Sequence, residues 1–182
     1  MGSAAHNEGP GRVIAYEIGQ SGQQLHIRDA VLEHFAKHQQ IRFWQREAGG
    51  LLFARFDLPI IDIVDVTGPR RTDIRRRHSY SPDVRAEQRE IEQRFCNDQH
   101  FVGCWHTHPE DVGAPSNFDL RNTADCVRRS RHALNGFLMI VVGRAAIPKG
   151  LFISVCDGIS SYPLQPIEHT SKRESASPSI AL

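Results

Sequence analysis

The stretch GCWHTHPEDVGAPSNFDL, residues 103–120, concentrates groups that bind metals and move protons. His106 and His108 are separated by one residue. On a strand that spacing puts both imidazoles on one face, whereas on a helix they would point about 200° apart. The apolar residues ahead of them favour the strand. Asp119 follows at the first turn of a helix that Ser116 can cap, and a strand-loop-helix path can return it to the histidine pair. Two imidazoles and one carboxylate make three protein ligands, the number used by catalytic zinc sites, which leave a fourth position for water. Such a water has its pKa lowered to about 7 and becomes a usable nucleophile, but it still needs a base.

A glutamate upstream completes a recognisable pattern. HTHP, six residues, Ser116, two residues and Asp119, together with Glu47-x-x-Gly50-x-Leu52 in REAGGLLFARF, give a chain that resembles the JAMM, or MPN+, metallopeptidase family over residues 25–160. The resemblance implies an α/β (α+β) cytidine-deaminase-like JAB/MPN fold, a mixed central sheet flanked by helices. It also implies that Zn2+ is held by His106, His108 and Asp119, that Glu47 takes the proton from the water and passes it to the leaving amine, and that Ser116 donates to the developing oxyanion. Within the family the small build is most similar to bacterial JAB peptidases of CBASS antiphage operons. The implied substrate is then a protein with an extended C-terminal tail: a cyclic-oligonucleotide synthase conjugated to a target, with E1/E2-like operon partners. The alternatives are a JAB peptidase that matures or removes a dedicated bacterial ubiquitin-like modifier, and a non-catalytic MPN scaffold.

Each residue alone has a plainer reading: a strand-end histidine as a hydrogen-bonded surface group, Asp119 as a first-turn dipole partner, Ser116 as only a cap. Five residue types at fixed offsets outweigh those readings jointly. Cys104 stays open as a fourth ligand by strand alternation, because it shares a face with His106 and His108, although the family pattern has no place for it. Trp105 reads as core or pocket wall.

The elements that must position these groups follow from period and punctuation. Residues 27–40, IRDAVLEHFAKHQQ, place Ile27, Val31, Leu32 and Phe35 at helical spacing and predict an amphipathic helix. Residues 51–69 are rich in branched and aromatic side chains, are interrupted at Pro59 and end at Thr67-Gly68-Pro69, which predicts two strands. Residues 70–84, with Arg70, Arg71, Arg75, Arg76 and Arg77, read as an exposed loop. Its arginines are solvated charge, a dock for an acidic partner or a nucleic-acid patch. Residues 84–98 predict a solvated helix with Ile91 and Phe95 on its buried side, FVGCWHTH a strand, and residues 116–134 a third helix. GFLMIVVGR and KGLFISVCDG finish as strands around a Gly143–Gly150 turn.

The chain's 182 residues suit one domain, read as 25–168, with loose segments at 1–24 and 169–182. A net charge of +1 gives no global push towards nucleic acid, and the deaminase pattern HxE with PCxxC is absent. No apolar run reaches the roughly 18 to 20 residues of a membrane span. Cys96, Cys104, Cys126 and Cys156 form no CxxC, which suggests reduced thiols in a cytoplasm.

Overall fold

The computed structural model describes residues 13–167; the first twelve residues and the expected C-terminal tail from His169 lie outside them. The described residues form ten strands and three helices. They are β1 Val13–Ile18, β2 Gln23–Arg28, α1 Asp29–His38, β3 Gly49–Asp57, β4 Ile60–Val66, β5 Ile74–Arg76, β6 Ser79–Ser81, α2 Val84–Phe95, β7 His100–Thr107, α3 Asn117–Arg129, β8 Phe137–Val142, β9 Leu151–Cys156 and β10 Ser161–Pro163. Eight strands make one mixed sheet in the order β1-β2-β4-β3-β7-β8-β9-β10, and β5 with β6 forms a separate small hairpin. Only β2 with β4 and β7 with β8 run parallel. The segment after β10 returns to β1, where the Ile167 amide donates to the Ala15 carbonyl at 2.8 Å, so the sheet curls back on itself.

The two faces of the sheet have different covers. On one, Val31, Leu32 and Phe35 of α1 pack on Leu52, Ala54, Val102, Trp105 and Ile140. Burying that stripe is what holds a ten-residue helix, since Arg28 at its start makes no capping bond. On the other face, Ala124 and Val127 of α3 pack on Phe137 and Cys156. Helix α2 lies beside β7 and β3 with no buried residue of its own. It is held by charge instead. Arg70, with a side chain 9% exposed, bonds Glu87 and Glu90, while Arg94 bonds Asp65 at 2.7 Å. No helix among the described residues is long and apolar enough to cross a membrane.

Several sequence expectations change. The region expected to be loose at the N-terminus contains β1 and the start of β2; VIAYEI turns Ala15 and Tyr16 inward, a strand too short for its alternation to stand out. Ile27 belongs to β2, so α1 begins at Asp29. Phe95 is 65% exposed rather than buried, and Ile91 is only half-buried, because α2 docks mainly through ion pairs. Helix α3 stops at Arg129, with Ser130 extended, and does not reach Leu134. The arginine-rich stretch is a hairpin, not a loop. Its fold is polar: the buried Asp73 carboxylate accepts from the Arg70 amide, the Tyr80 hydroxyl and the Asp83 amide, a pattern with no hydrophobic period to reveal it.

Candidate metal centre and active site

Strand β7 runs through the middle of the sheet, antiparallel to β3 and parallel to β8. Its register against β3 slips between Leu52↔Gly103 and Phe53↔Phe101, which leaves Val102 as the extra residue of a bulge. Phe101 meets Phe137 on the α3 side, with ring centroids 5.0 Å apart, while Val102 and Trp105 both lie in the core under α1. The alternation therefore changes phase at the bulge. Cys104, His106 and His108 emerge on the side that Phe101 faces; with unbroken alternation through Val102 they would instead point into the α1 core. Gly103 makes this possible. Its φ of +149° is closed to other residues, and a Cβ there would lie 2.0 Å from the Leu138 carbonyl oxygen.

Helix α3 brings the carboxylate. Ser116 caps it: its Oγ accepts from the Asp119 amide at 3.2 Å, and the Asp119 carboxylate accepts from the Ser116 amide at 2.7 Å, a reciprocal capping box. The Ser116 hydroxyl also donates to Asp119 Oδ2 at 2.6 Å. Asp119 Oδ1 is then 3.5 Å from His106 Nε2, and Oδ2 is 3.5 Å from His108 Nε2.

These distances exceed a good hydrogen bond and lie close to the ligand-to-ligand separation of about 3.4 Å that a tetrahedral site with bonds of ~2.0–2.1 Å requires. All three ligand atoms lie within 4.8 Å of one another. His106 Nε2 is buried without a hydrogen-bond partner, a cost that an ion at this position would remove. The donor set and this orphaned nitrogen fit a divalent metal, and zinc suits two imidazoles with a carboxylate. Cys104 is outside the cluster, and burial pushes its thiol well above the usual range, so it stays neutral.

Glu47 arrives by a different route, on the irregular segment leading into β3. The β3–β7 pairing Gly49↔His106 continues backwards, with the Thr107 amide donating to the Ala48 carbonyl at 2.8 Å and Thr107 Oγ1 accepting from the Ala48 amide at 2.9 Å. By that register Glu47 shares a face with His106 and His108. Its residue is 6% exposed, and it lines the same cleft as the histidines, Ser116 and Asp119. Burial, followed by the negative charges of Asp119 and Glu110, pushes its pKa up to about 7. For Asp119 burial acts upwards too, but His106 beside it and the Ser116 bonds outweigh that and hold it below the usual carboxylate range. Burial, then the neighbouring His106, lowers His108, which favours the neutral imidazole a metal needs. Trp105 belongs to the core: it packs on Phe35 and donates to the Thr67 carbonyl at 2.9 Å.

The cleft, about 890 Å³, runs from these residues along β7, with α3 on one side and the β5–β6 hairpin and the start of α2 on the other. The arginine-rich stretch divides by role. Arg70 is locked in its ion pairs, Arg75 donates to the Glu47 carbonyl at 2.6 Å, and Arg71, Arg76 and Arg77 are exposed. Gln39 and Gln40, buried polar residues that the sequence reading passed over, tie loops around the site; two adjacent glutamines ending an amphipathic helix were the available signal.

The chain matches the family of prokaryotic homologs of the JAB domain over residues 6–152 and belongs to that family. Two similar curated proteins are both named CD-NTase/cGAS isopeptidase. One, from Pseudomonas aeruginosa (strain BWHPSA011 / Pa011), is 31% identical over 126 residues, 68% of this chain and 79% of the relative. The other, from Escherichia coli (strain TW11681), is 26% identical over 124 residues, 66% of this chain and 77% of the relative. A protein from Desulfitobacterium hafniense with a known solution structure shares the fold, with a TM-score of 0.54 at 19% identity, over 75% of this chain and 87% of that one.

Proposed function

We propose that this chain is a zinc-dependent isopeptidase that releases a CD-NTase from targets to which it is joined through its C-terminus. The observation that carries the reading is the buried Glu47 carboxylate lining one cleft with the His106, His108 and Asp119 cluster and its unpartnered His106 nitrogen. The names of the two relatives supply the substrate class.

In this reading His106, His108 and Asp119 hold the zinc. A zinc ion in this donor set supplies Lewis acidity, which acidifies water and polarises a carbonyl. Glu47 accepts the proton of the attacking water and delivers it to the departing nitrogen, so that the amide becomes a free carboxylate and a free amine. Its burial serves this exchange, because a carboxylate with a pKa near neutrality both takes and gives a proton. Ser116 donates a hydrogen bond to the carbonyl oxygen as charge gathers there.

The cleft suits an extended tail. Among the described residues strand β6 pairs only with β5, and its Ser79 and Tyr80 line the cleft together with His78 of the preceding turn, so its other edge can receive a substrate segment as an added strand. On the segment leading to Glu47, Phe43 is 75% and Trp44 60% exposed, and the Arg42 guanidinium lies over the Trp44 ring, 5.2 Å from its centroid. Exposed aromatics with arginines are the residue types protein interfaces favour, which supports a protein substrate. The activity would reverse the conjugation carried out by an E1/E2-like pair in bacterial antiphage defence, in the cytoplasm.

The test is a CD-NTase fused through its C-terminus to a fluorescent protein. Cleavage at the junction is expected, lost with a chelator and restored by zinc, while Glu47→Gln keeps one zinc per chain and cuts at least ~10²-fold more slowly. Cleavage confined to a ubiquitin-like fusion would replace the substrate. Zinc-loaded protein that cuts neither fusion would refute the isopeptidase reading.

A further inference from the structure

The arginine-rich hairpin does more than border the cleft. Glu47 sits on no helix or strand, yet both of its main-chain polar groups are engaged by β5. Its amide donates to the Arg76 carbonyl at 2.7 Å, and its carbonyl accepts from Arg75 Nε at 2.6 Å. Arg75 Nη2 also reaches the Arg46 carbonyl at 3.2 Å. Among the described residues Arg75 has no carboxylate partner, so its half-buried guanidinium is spent on the backbone that carries Glu47.

A second contact closes the frame from within. Gln40, 2% exposed, donates to the Arg77 carbonyl at 3.0 Å and to the Gln45 carbonyl at 3.3 Å. Its side-chain oxygen accepts from Thr107 Oγ1 at 3.2 Å, and Thr107 lies between the two histidines. One buried amide thus joins the hairpin turn, the segment leading to Glu47 and the histidine strand.

We infer that Arg75 and Gln40 are positioning residues that fix Glu47 against His106 and His108, making the β5–β6 hairpin a part of the base's mounting. The inference rests on the proposed role of Glu47 as the proton carrier. A frame is needed there because proton transfer tolerates little error: a displacement of about 1 Å costs on the order of 10²-fold in rate. The bonds to β7 reach back only as far as Ala48, so the main chain of Glu47 itself is fixed by its bonds to the hairpin. The guanidinium suits the task because its fork meets two successive carbonyls at fixed geometry, which a lysine ammonium cannot do.

The experiment compares Arg75→Met, Arg75→Lys and Gln40→Leu with the parent on the fluorescent CD-NTase fusion, with Arg71→Ala as the exposed control. For Arg75→Met kcat should fall by roughly 30- to 100-fold with KM within about twofold, zinc content unchanged and the thermal midpoint kept. Arg75→Lys should remain impaired despite its charge, and added guanidinium ion should restore part of the Arg75→Met activity. The double variant with Gln40→Leu should lose less than the product of the single losses, since the two residues act on one segment. Hydrogen exchange supplies a readout independent of turnover: in Arg75→Met the amides of Glu47 and Ala48 should lose protection while Leu51 to Phe53 keep theirs. If the parent cuts nothing but this local loss appears, the frame stands and the isopeptidase reading falls. If Arg75→Met retains kcat within twofold, or keeps the Glu47 and Ala48 protection, the inference is overturned. A loss of kcat that merely parallels loss of zinc and of global stability overturns it as well.

Discussion

Replacing Gly103 by alanine tests whether the fold aims the histidines through the β7 bulge. At φ +149° an alanine pays about 1–3 kcal/mol for its backbone conformation alone. Its Cβ would also lie 2.0 Å from the Leu138 carbonyl oxygen and 2.7 Å from the Leu138 nitrogen, both main-chain atoms of the parallel neighbour β8, so no side chain can swing aside. Strand β7 must separate from β8 around Gly103↔Leu138, and two ladder bonds at about 1 kcal/mol each are lost. The sum is about 3–5 kcal/mol, a large part of the ~5–15 kcal/mol that holds a domain.

Relief is available by dropping the extra residue from the bulge, and that has a functional signature. A one-residue slip turns His106 and His108 towards α1 and separates them from Asp119. Gly103→Ala should therefore lose zinc affinity by more than partial unfolding explains. The assay is urea unfolding of chelator-treated protein, together with zinc competition against a chromophoric chelator under conditions where the variant is folded. A variant within 1 kcal/mol of the parent that binds zinc equally well would show that the bulge does not set the facing of the ligands.

Two further substitutions separate entangled roles. Asp119→Ala should lose the metal and also about 1 kcal/mol of metal-free stability, because Ser116 loses its capping-box partner; Asp119→Asn, which keeps an acceptor for the Ser116 amide, should lose the metal while keeping most of that stability, as read by zinc stoichiometry and urea midpoints. His38, in contact with His34 and Trp105, has its pKa lowered to about 4, first by burial and then by the charge of His34. The unfolded chain then binds a proton below pH ~6.5 that the folded protein refuses, so stability falls as pH drops from about 6.5 to 4 and levels off below. Discounted for its partial exposure, His38 contributes about 1 kcal/mol of that fall, and His38→Asn should flatten the pH dependence of the unfolding free energy by this amount. An unchanged slope would count against the assignment.

The cluster of His106, His108 and Asp119, the proposed ligands, was legible in the sequence because metal chemistry leaves short, local spacing: the histidines one residue apart, with the Ser116–Asp119 box opening a helix. Glu47 was legible only through resemblance, since nothing near it in sequence says that its segment runs beside β7. The helix and strand pattern from Asp29 to Cys156 follows hydrophobic period, and it failed where period is not what holds the chain. Asp73 folds the β5–β6 hairpin through three polar bonds, and Arg70 docks α2 through carboxylates. Those partners are up to twenty residues apart, and charge composition does not say which arginine meets which acid. Gly103 was visible as a residue, but its reason, the carbonyl of Leu138, belongs to a strand that follows the intervening helix.

The proposed reaction adds the duty of oxyanion donor to the helix cap that Ser116 already provides, and the two are compatible once its atoms are separated. The capping bond uses a lone pair of Oγ, which accepts from the Asp119 amide. The bond to Asp119 Oδ2 uses the hydroxyl proton, and that proton turns about the Cβ–Oγ bond without displacing the oxygen. When it turns into the cleft, Asp119 still accepts from the Ser116 amide, so the carboxylate keeps its orientation and the helix keeps its cap. The resting contact therefore holds the proton beside the place where the proposed reaction needs it. A serine suits this position better than the other good capping residues, because aspartate brings no donor and asparagine carries its donors on a different atom from its acceptor.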